Sequence, residues 1–266
     1  MLRRTLITGV LLLGGLAIPA VSQAQSVRVI NNAHLSSGKI AKFKAAGSAM
    51  INQRVNRAWG SPHLSWTNSS SANQTIEFVN SLNPVNRFCG GGAAGCHDVK
   101  NGRPYSIVDT NRFETGRIWS VTGTHELSEM WVDPYIKTFT PAGNTTASFL
   151  VEVGDPVEDF SRSSHGVAVT DFATPAWYHN SGGKQDDFNR LPYESGSWFL
   201  SCPSGYAWYV QNGTWHEMTP GGCMKRGGTR IGHSLLTASD PMPAPNGMRT
   251  NQRGNRPAIF PIKEVR

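Results

Sequence analysis

Charge is scarce in this sequence: only 16% of its 266 residues are Asp, Glu, Lys or Arg. Gly, Asn, Ser and Thr abound instead, which argues against long solvent-exposed helices and for a loop-rich α+β chain. Long apolar runs are equally scarce. One runs from Leu6 to Val21 and no second follows, which argues against a membrane-spanning protein. The four cysteines include no CxxC pair, so a four-cysteine zinc site has no basis in the spacing. There is no internal repeat. No phosphate-cradling or paired-metal motif is visible, which counts against a nuclease.

The N-terminus has the layout of an export signal. Met1 to Arg4 are positively charged, the apolar run follows, and Ser22-Gln23-Ala24 supplies small residues at a cleavage site. Residues 1–24 are therefore expected to be removed, leaving a periplasmic or extracellular protein with no membrane span. Arg3-Arg4 suits twin-arginine as well as general export. Residues 25–238 have the length of one α+β domain. Residues 239–266 form a Pro- and Arg-rich stretch expected to be irregular. The net charge of +7 is largely a property of the C-terminal region, where Lys225, Arg226, Arg230, Arg249, Arg253, Arg256, Lys263 and Arg266 face only Asp240 and Glu264. Without an aromatic-interleaved basic surface this reads as a solvated end, and no nucleic-acid partner is expected.

An exported chain with four cysteines is expected to carry two disulfides. Cys89 and Cys96 bracket a Gly-Gly-Gly-Ala-Ala-Gly loop. Cys202 and Cys223 lie equally far on either side of Asn212-Gly213, a strong two-residue hairpin turn, and would sit close together at the base of that hairpin. Pro203, Pro220 and Gly221-Gly222 end the ladder before it reaches them. Tyr206, Trp208, Tyr209 and Trp215 on this hairpin read as core more than as a binding face. Elsewhere the pattern predicts strands at Val27–Ile30, Thr75–Val79, Tyr105–Val108, Phe149–Val153 and Val167–Phe172. It predicts a helix over Ile40–Trp59, a polar loop from Ser65 to Gln74 and a turn at Asn101-Gly102.

The stretch that carries chemistry is Thr124-His125-Glu126-Leu127-Ser128-Glu129-Met130-Trp131-Val132-Asp133-Pro134. It predicts a helix capped near Ser120–Thr124 and stopped by Pro134. His125, Glu129 and Asp133 then recur every four residues and project from nearly one face. An imidazole and a carboxylate one turn apart can grip a divalent ion, and Glu126 is placed to take a proton from water there, which is the logic of HExxH hydrolases. The competing reading is a solvated acidic helix face. Asp133 reads as a further ligand or a helix-end cap before Pro134, and a role in support of the ligands is favoured. A second acidic cluster, Glu152, Asp155 and Glu158, follows on a strand and turn, where such enzymes supply a third ligand.

These segments resemble a largely uncharacterised family of bacterial and phage-associated proteins with a zincin-like HExxE helix. The shared pattern runs in order through Met50–Arg57, Gly95–Val99, Asn101–Tyr105, Ser120–Met130, Asp133-Pro134, Glu152–Glu158 and Val169–Trp177. Cys96 departs from it, standing where an aromatic or aliphatic residue is expected. The resemblance implies a zincin-like fold, with a small mixed sheet packed on a metal-binding helix. It also implies His125 and Glu129 as metal ligands, Glu152 and then Asp155 as the further ligand, and Glu126 as general base. His97 and His165 read as ordinary histidines, while Tyr178 or His179 are candidates to stabilise an oxyanion.

The expected function is an exported metal-dependent hydrolase, peptidase-like, acting on a peptide or protein. The cofactor is a divalent metal, zinc first, with manganese, iron or calcium compatible with carboxylate-rich ligation. The alternative is a noncatalytic envelope binding protein whose metal, if any, is structural.

Overall fold

The computed structural model describes residues 25–90, 93–111, 119–143, 145–179, 198–221, 223–226 and 229–234, with side chains described up to residue 221. The expected export signal and the Pro/Arg-rich end lie outside the described residues.

The first half of the chain alternates strands with helices. Strand β1 (Gln25–Asn31) leads into helix α1 (Ser37–Met50), which continues through a π-helical turn at Ile51–Val55 into α2 (Asn56–Trp59). Ser36 caps α1 by accepting from the Lys39 amide at 3.3 Å, and Gly60, at φ +64°, ends α2 in the left-handed conformation. Strands β2 (Leu64–Thr67) and β3 (Gln74–Val79), helix α3 (Leu82–Cys89) and strands β4 (Gly95–Lys100) and β5 (Arg103–Asp109) follow. They form a mixed five-stranded sheet in the order β2-β1-β3-β5-β4. All pairings are parallel except β4 with β5, which turn on Asn101-Gly102 with φ of +53° and +76°. The expected polar loop at Ser65–Gln74 is thus corrected. Its first residues belong to β2, whose apolar pattern spans too few residues to stand out.

Helix α4 (Trp119–Val132) carries the HExxE motif and lies across β4 and β5. Every residue from Ser120 to Trp131 is buried, so the solvated acidic face does not exist. The polar groups are satisfied within the fold. The Thr124 hydroxyl donates to the Ser120 carbonyl at 2.9 Å, the Ser128 hydroxyl donates to that of His125 at 2.9 Å, and Thr124 Oγ1 accepts from the Thr170 amide.

The second half is built of short strands: β6 (Phe139–Pro141), β7 (Ala147–Leu150), β8 (Ser161–Ser164) and β9 (Val167–Thr170), then helix α5 (Pro175–His179). After these come β10 (Trp198–Ser201), β11 (Ala207–Gln211), β12 (Thr214–Met218), β13 (Cys223–Arg226) and β14 (Thr229–Ser234). The antiparallel sheet β12-β11-β7-β6 contains the expected hairpin, with Tyr209 opposite His216 across the Asn212-Gly213 turn. Two expected strands are shorter than read: β7 stops at Leu150 and β9 at Thr170, before the segments that reach the site. Part of the basic region is a β-ribbon rather than a tail, because β13 pairs with β14, which pairs in turn with β10.

The Cys89–Cys96 disulfide joins the end of α3 to β4. Cys202 is also disulfide-bonded, while the side chain of its expected partner Cys223 lies outside the described residues. Of the hairpin aromatics expected in the core, Tyr209 is 1% exposed, while Tyr206, Trp208 and Trp215 are half-buried. No helix among the described residues is long and apolar enough to cross a membrane.

The core runs from the interface of the mixed sheet with α1 and α4 into the second half, through Phe149, Trp177, Trp198 and Tyr209. Phe43 of α1 meets Phe78 of β3 edge-on at 5.0 Å, with Trp119 at 5.8 Å. Gly123 allows α4 to sit against this pair: a Cβ there would lie 2.9 Å from Phe78 Cε1 and 3.0 Å from Phe43 Cε2. Gly123→Ala gains helix propensity but overpacks two rigid rings, and the net cost is expected to be about 1–3 kcal/mol. Denaturant unfolding checks this; a variant as stable as the parent would show that α4 does not depend on this close approach.

Candidate metal centre

Three parts of the fold bring acids and histidines to one buried place. Helix α4 contributes His125, Glu126 and Glu129. The loop after β7 contributes Glu152 and Asp155, the latter opening a short 3-10 turn at Asp155–Val157. Strand β4 contributes His97. His97, His125, Glu126, Glu129 and Asp155 are each 4–6% exposed, and the Glu152 side chain is 11% exposed.

Glu129 stands at the centre. Its Oε1 lies 3.2 Å from His125 Nε2 and accepts from the Gly154 amide at 3.1 Å, while its Oε2 lies 3.6 Å from His97 Nδ1. Asp155 Oδ1 is 3.3 Å from His125 Nε2, and Glu126 Oε2 is 3.8 Å from His97 Nδ1. Two triads result, His125–Glu129–Asp155 and His97–Glu126–Glu129, each with ligating atoms within 4.8 Å of one another. Contacts of 3.2 and 3.3 Å in the first fit donors around one ion, since tetrahedral bonds of about 2.0–2.1 Å give edges near about 3.3 Å.

The loop bearing Glu152 and Asp155 is held from behind by the segment that follows β9. The Tyr178 hydroxyl donates to the Glu152 carbonyl at 2.9 Å, and the Ala173 amide donates to that of Val153 at 2.6 Å. Gly154 is needed for the approach of His125: a Cβ there would fall 2.6 Å from His125 Nδ1. Asp133 closes the far end of α4. Its carboxylate accepts from the Lys137 amide and from the Thr138 amide and hydroxyl, at 2.8 to 3.1 Å, and its carbonyl lies 3.3 Å from His97 Nε2. Asp133 is thus a cap and a support to His97.

The electrostatics of the cluster are those of excess buried negative charge. Burial alone would make His97 and His125 harder to protonate. Around His97 the acids Glu152, Glu126 and Glu129 reverse this, and around His125 Glu129 and Asp155 do so, leaving both imidazoles well above their ordinary value. Burial raises Glu152 and Asp155 well above the carboxylate range, reinforced by neighbouring acids. Burial opposes ionisation of Glu129 as well, but His125 and His97 outweigh it and hold Glu129 well below that range. Among the described residues no Lys or Arg forms an ion pair with these acids.

Sequence reading and structure agree in bringing His125, Glu126, Glu129, Glu152 and Asp155 together. Asp155 rather than Glu152 completes the triad with His125; Glu152 faces His97 Nε2 at 3.7 Å. His97 was set aside in the sequence and sits inside the cluster. Its signal was the register of β4, where the Asn101-Gly102 turn fixes which residues face α4. His165 is in a β8–β9 turn, beside the Ser164 hydroxyl. Tyr178 is fully buried with its hydroxyl engaged, and His179 is exposed. Tyr206, whose amide donates to the Asp155 carbonyl at 3.0 Å, is a further neighbour of the site, which the sequence placed only among the hairpin aromatics.

No protein-family model, curated protein or solved structure matches this chain.

In the ion-free protein the imidazoles, Glu152 and Asp155 hold their protons more tightly than ordinary groups of their kind. A cation must displace them, so zinc affinity should rise with pH and binding should release protons. Calorimetry in two buffers of different ionisation enthalpy measures the release; zinc binding without it would contradict the assignment of these groups as ligands.

Proposed function

We propose that this chain is an exported, divalent-metal-dependent hydrolase of zincin type, with peptides or proteins as substrates. The observation that carries the reading is the buried His125–Glu129–Asp155 triad, whose acids have no Lys or Arg to neutralise them among the described residues. Leaving such charges buried without a counter-ion costs several kcal/mol each, and a divalent cation removes that cost. A mixed sheet backed by two helices, with the motif helix lying on β4 and β5, is compatible with a zincin-like fold. The Cys89–Cys96 disulfide suits an oxidising compartment and, with the N-terminal signal, supports export.

In this reading His125 Nε2, Glu129 Oε1 and Asp155 Oδ1 hold the ion, and zinc, manganese and iron all suit one nitrogen with several oxygens. The ion would polarise a substrate carbonyl and make water acidic enough to ionise near neutral pH. Glu126, next to His125 on the same buried helix, accepts the proton and delivers it to the leaving group. His97 orients Glu126 from 3.8 Å. Asp133 and the Gly154 amide keep the ligands in place, the first through His97 and the second through Glu129.

Glu126→Gln is expected to retain the ion of the His125 triad and to lower turnover of peptide substrates at least about 100-fold. His125→Ala is expected to lose that ion and all turnover. Metal content by elemental mass spectrometry, beside a peptide-library cleavage assay, reads both. A Glu126→Gln protein with undiminished turnover would remove the catalytic assignment. A wild-type protein that takes up neither zinc nor manganese would remove the hydrolase reading altogether, leaving a binding protein.

A further inference from the structure

We infer that the centre holds two divalent ions bridged by the Glu129 carboxylate, the second on His97, Glu126 and Glu129. The inference rests on the single-ion reading above and extends it. Glu129 divides its oxygens between the two imidazoles: Oε1 is 3.2 Å from His125 Nε2 and Oε2 is 3.6 Å from His97 Nδ1. That is the disposition of a carboxylate spanning two ions about 3.5–4 Å apart.

Charge balance points the same way. When all four are ionised, Glu126, Glu129, Glu152 and Asp155 supply four negative charges, and imidazoles acting as ligands are neutral. One divalent ion leaves half of that charge uncompensated in a buried site. Two leave none. Asp133 stands outside the balance, because three donors of the Lys137–Thr138 loop already satisfy its carboxylate.

The second triad also has the surroundings of a metal site. His97 turns Nδ1 toward Glu126 and Glu129, while its Nε2 faces the Asp133 carbonyl at 3.3 Å. This is the hydrogen bond that orients a ligating histidine. Two buried oxygens beside His97 have no hydrogen-bond partner. Glu152 Oε2 lies 3.7 Å from His97 Nε2. The Ser106 hydroxyl is fully buried and paired with His97 across β4 and β5, hence on the same face of the sheet. Ligation of the second ion through Glu126 Oε2 leaves Oε1 as the proton acceptor, so the proposed role of Glu126 survives the second ion. No paired-metal motif shows in the sequence because His97, one of the three residues of the second triad, comes from a strand remote from the helix.

The experiment is a titration of the chelated full-length mature protein with manganese(II) alone and with zinc(II) alone. Bound ions are counted by elemental mass spectrometry after gel filtration, and the manganese form is examined by electron paramagnetic resonance. Two ions per chain are expected, with the exchange-coupled manganese spectrum of a bridged pair. His97→Ala and the more conservative His97→Gln are each expected to lower the content from two to one, giving the spectrum of isolated manganese. His125→Ala should do the same from the other side. One ion per wild-type chain, two ions with an uncoupled spectrum, or a folded His97 variant that keeps both would overturn the bridged pair while leaving the single-ion reading standing. No ion at all would overturn both.

Discussion

The constraint on which the site depends is the burial of four carboxylates with only two imidazoles for company. A buried carboxylate is tolerated when it is paired, hydrogen-bonded or bound to a cation. The Asp133 carboxylate is satisfied by the loop that follows the helix, and Glu129 gains one backbone amide. For the others, the two histidines are the partners the described side chains supply, and Glu152 Oε2 has no hydrogen bond at all. A fold that gathers this much charge from a helix, a strand and a loop does so at a cost in stability, and a cation offsets that cost.

Much of the remaining structure positions these groups. The Phe43–Phe78 pair and the missing side chain at Gly123 set how closely α4 approaches the sheet. That approach brings Glu126 and Glu129 within reach of His97 on β4, the strand tied to α3 by the Cys89–Cys96 disulfide. The loop from Glu152 to Asp155 is irregular, so its geometry comes from its neighbours: Tyr178 and Ala173 behind it, Gly154 against the His125 ring, and Tyr206 beside Asp155.

The α+β class, the motif helix with its stop before Pro134, and the two turns at Asn101-Gly102 and Asn212-Gly213 were legible because each has a local cause. Helical spacing put His125 and Glu129 on one face, and the acids after β7 could be named from their proximity to a strand end. What could not be read depends on tertiary packing. Nothing local tells that α4 is buried all round, since its Glu and Ser residues are as common on solvated helices. His97 belongs to the cluster only because β4 pairs antiparallel at the sheet edge beneath α4. The preference for Asp155 over Glu152 as partner of His125 turns on the 3-10 turn, which a sequence of Gly, Asp and Pro allows but does not dictate. Strand β2 was too short to reveal itself, and β13–β14 lie in a stretch whose basic composition suggests solvation.

The most direct test of the central claim, that this buried cluster is completed by divalent cations, is the thermal unfolding of the mature protein before and after exhaustive chelation. The account predicts a clearly lower midpoint after chelation, restored by added metal. A ligand at a hundred times its dissociation constant contributes about 2.7 kcal/mol. The His125→Ala protein should respond less than the parent. Equal midpoints with and without chelator, in a protein that stays folded and soluble, would show that the carboxylates are accommodated without a cation and would contradict the account.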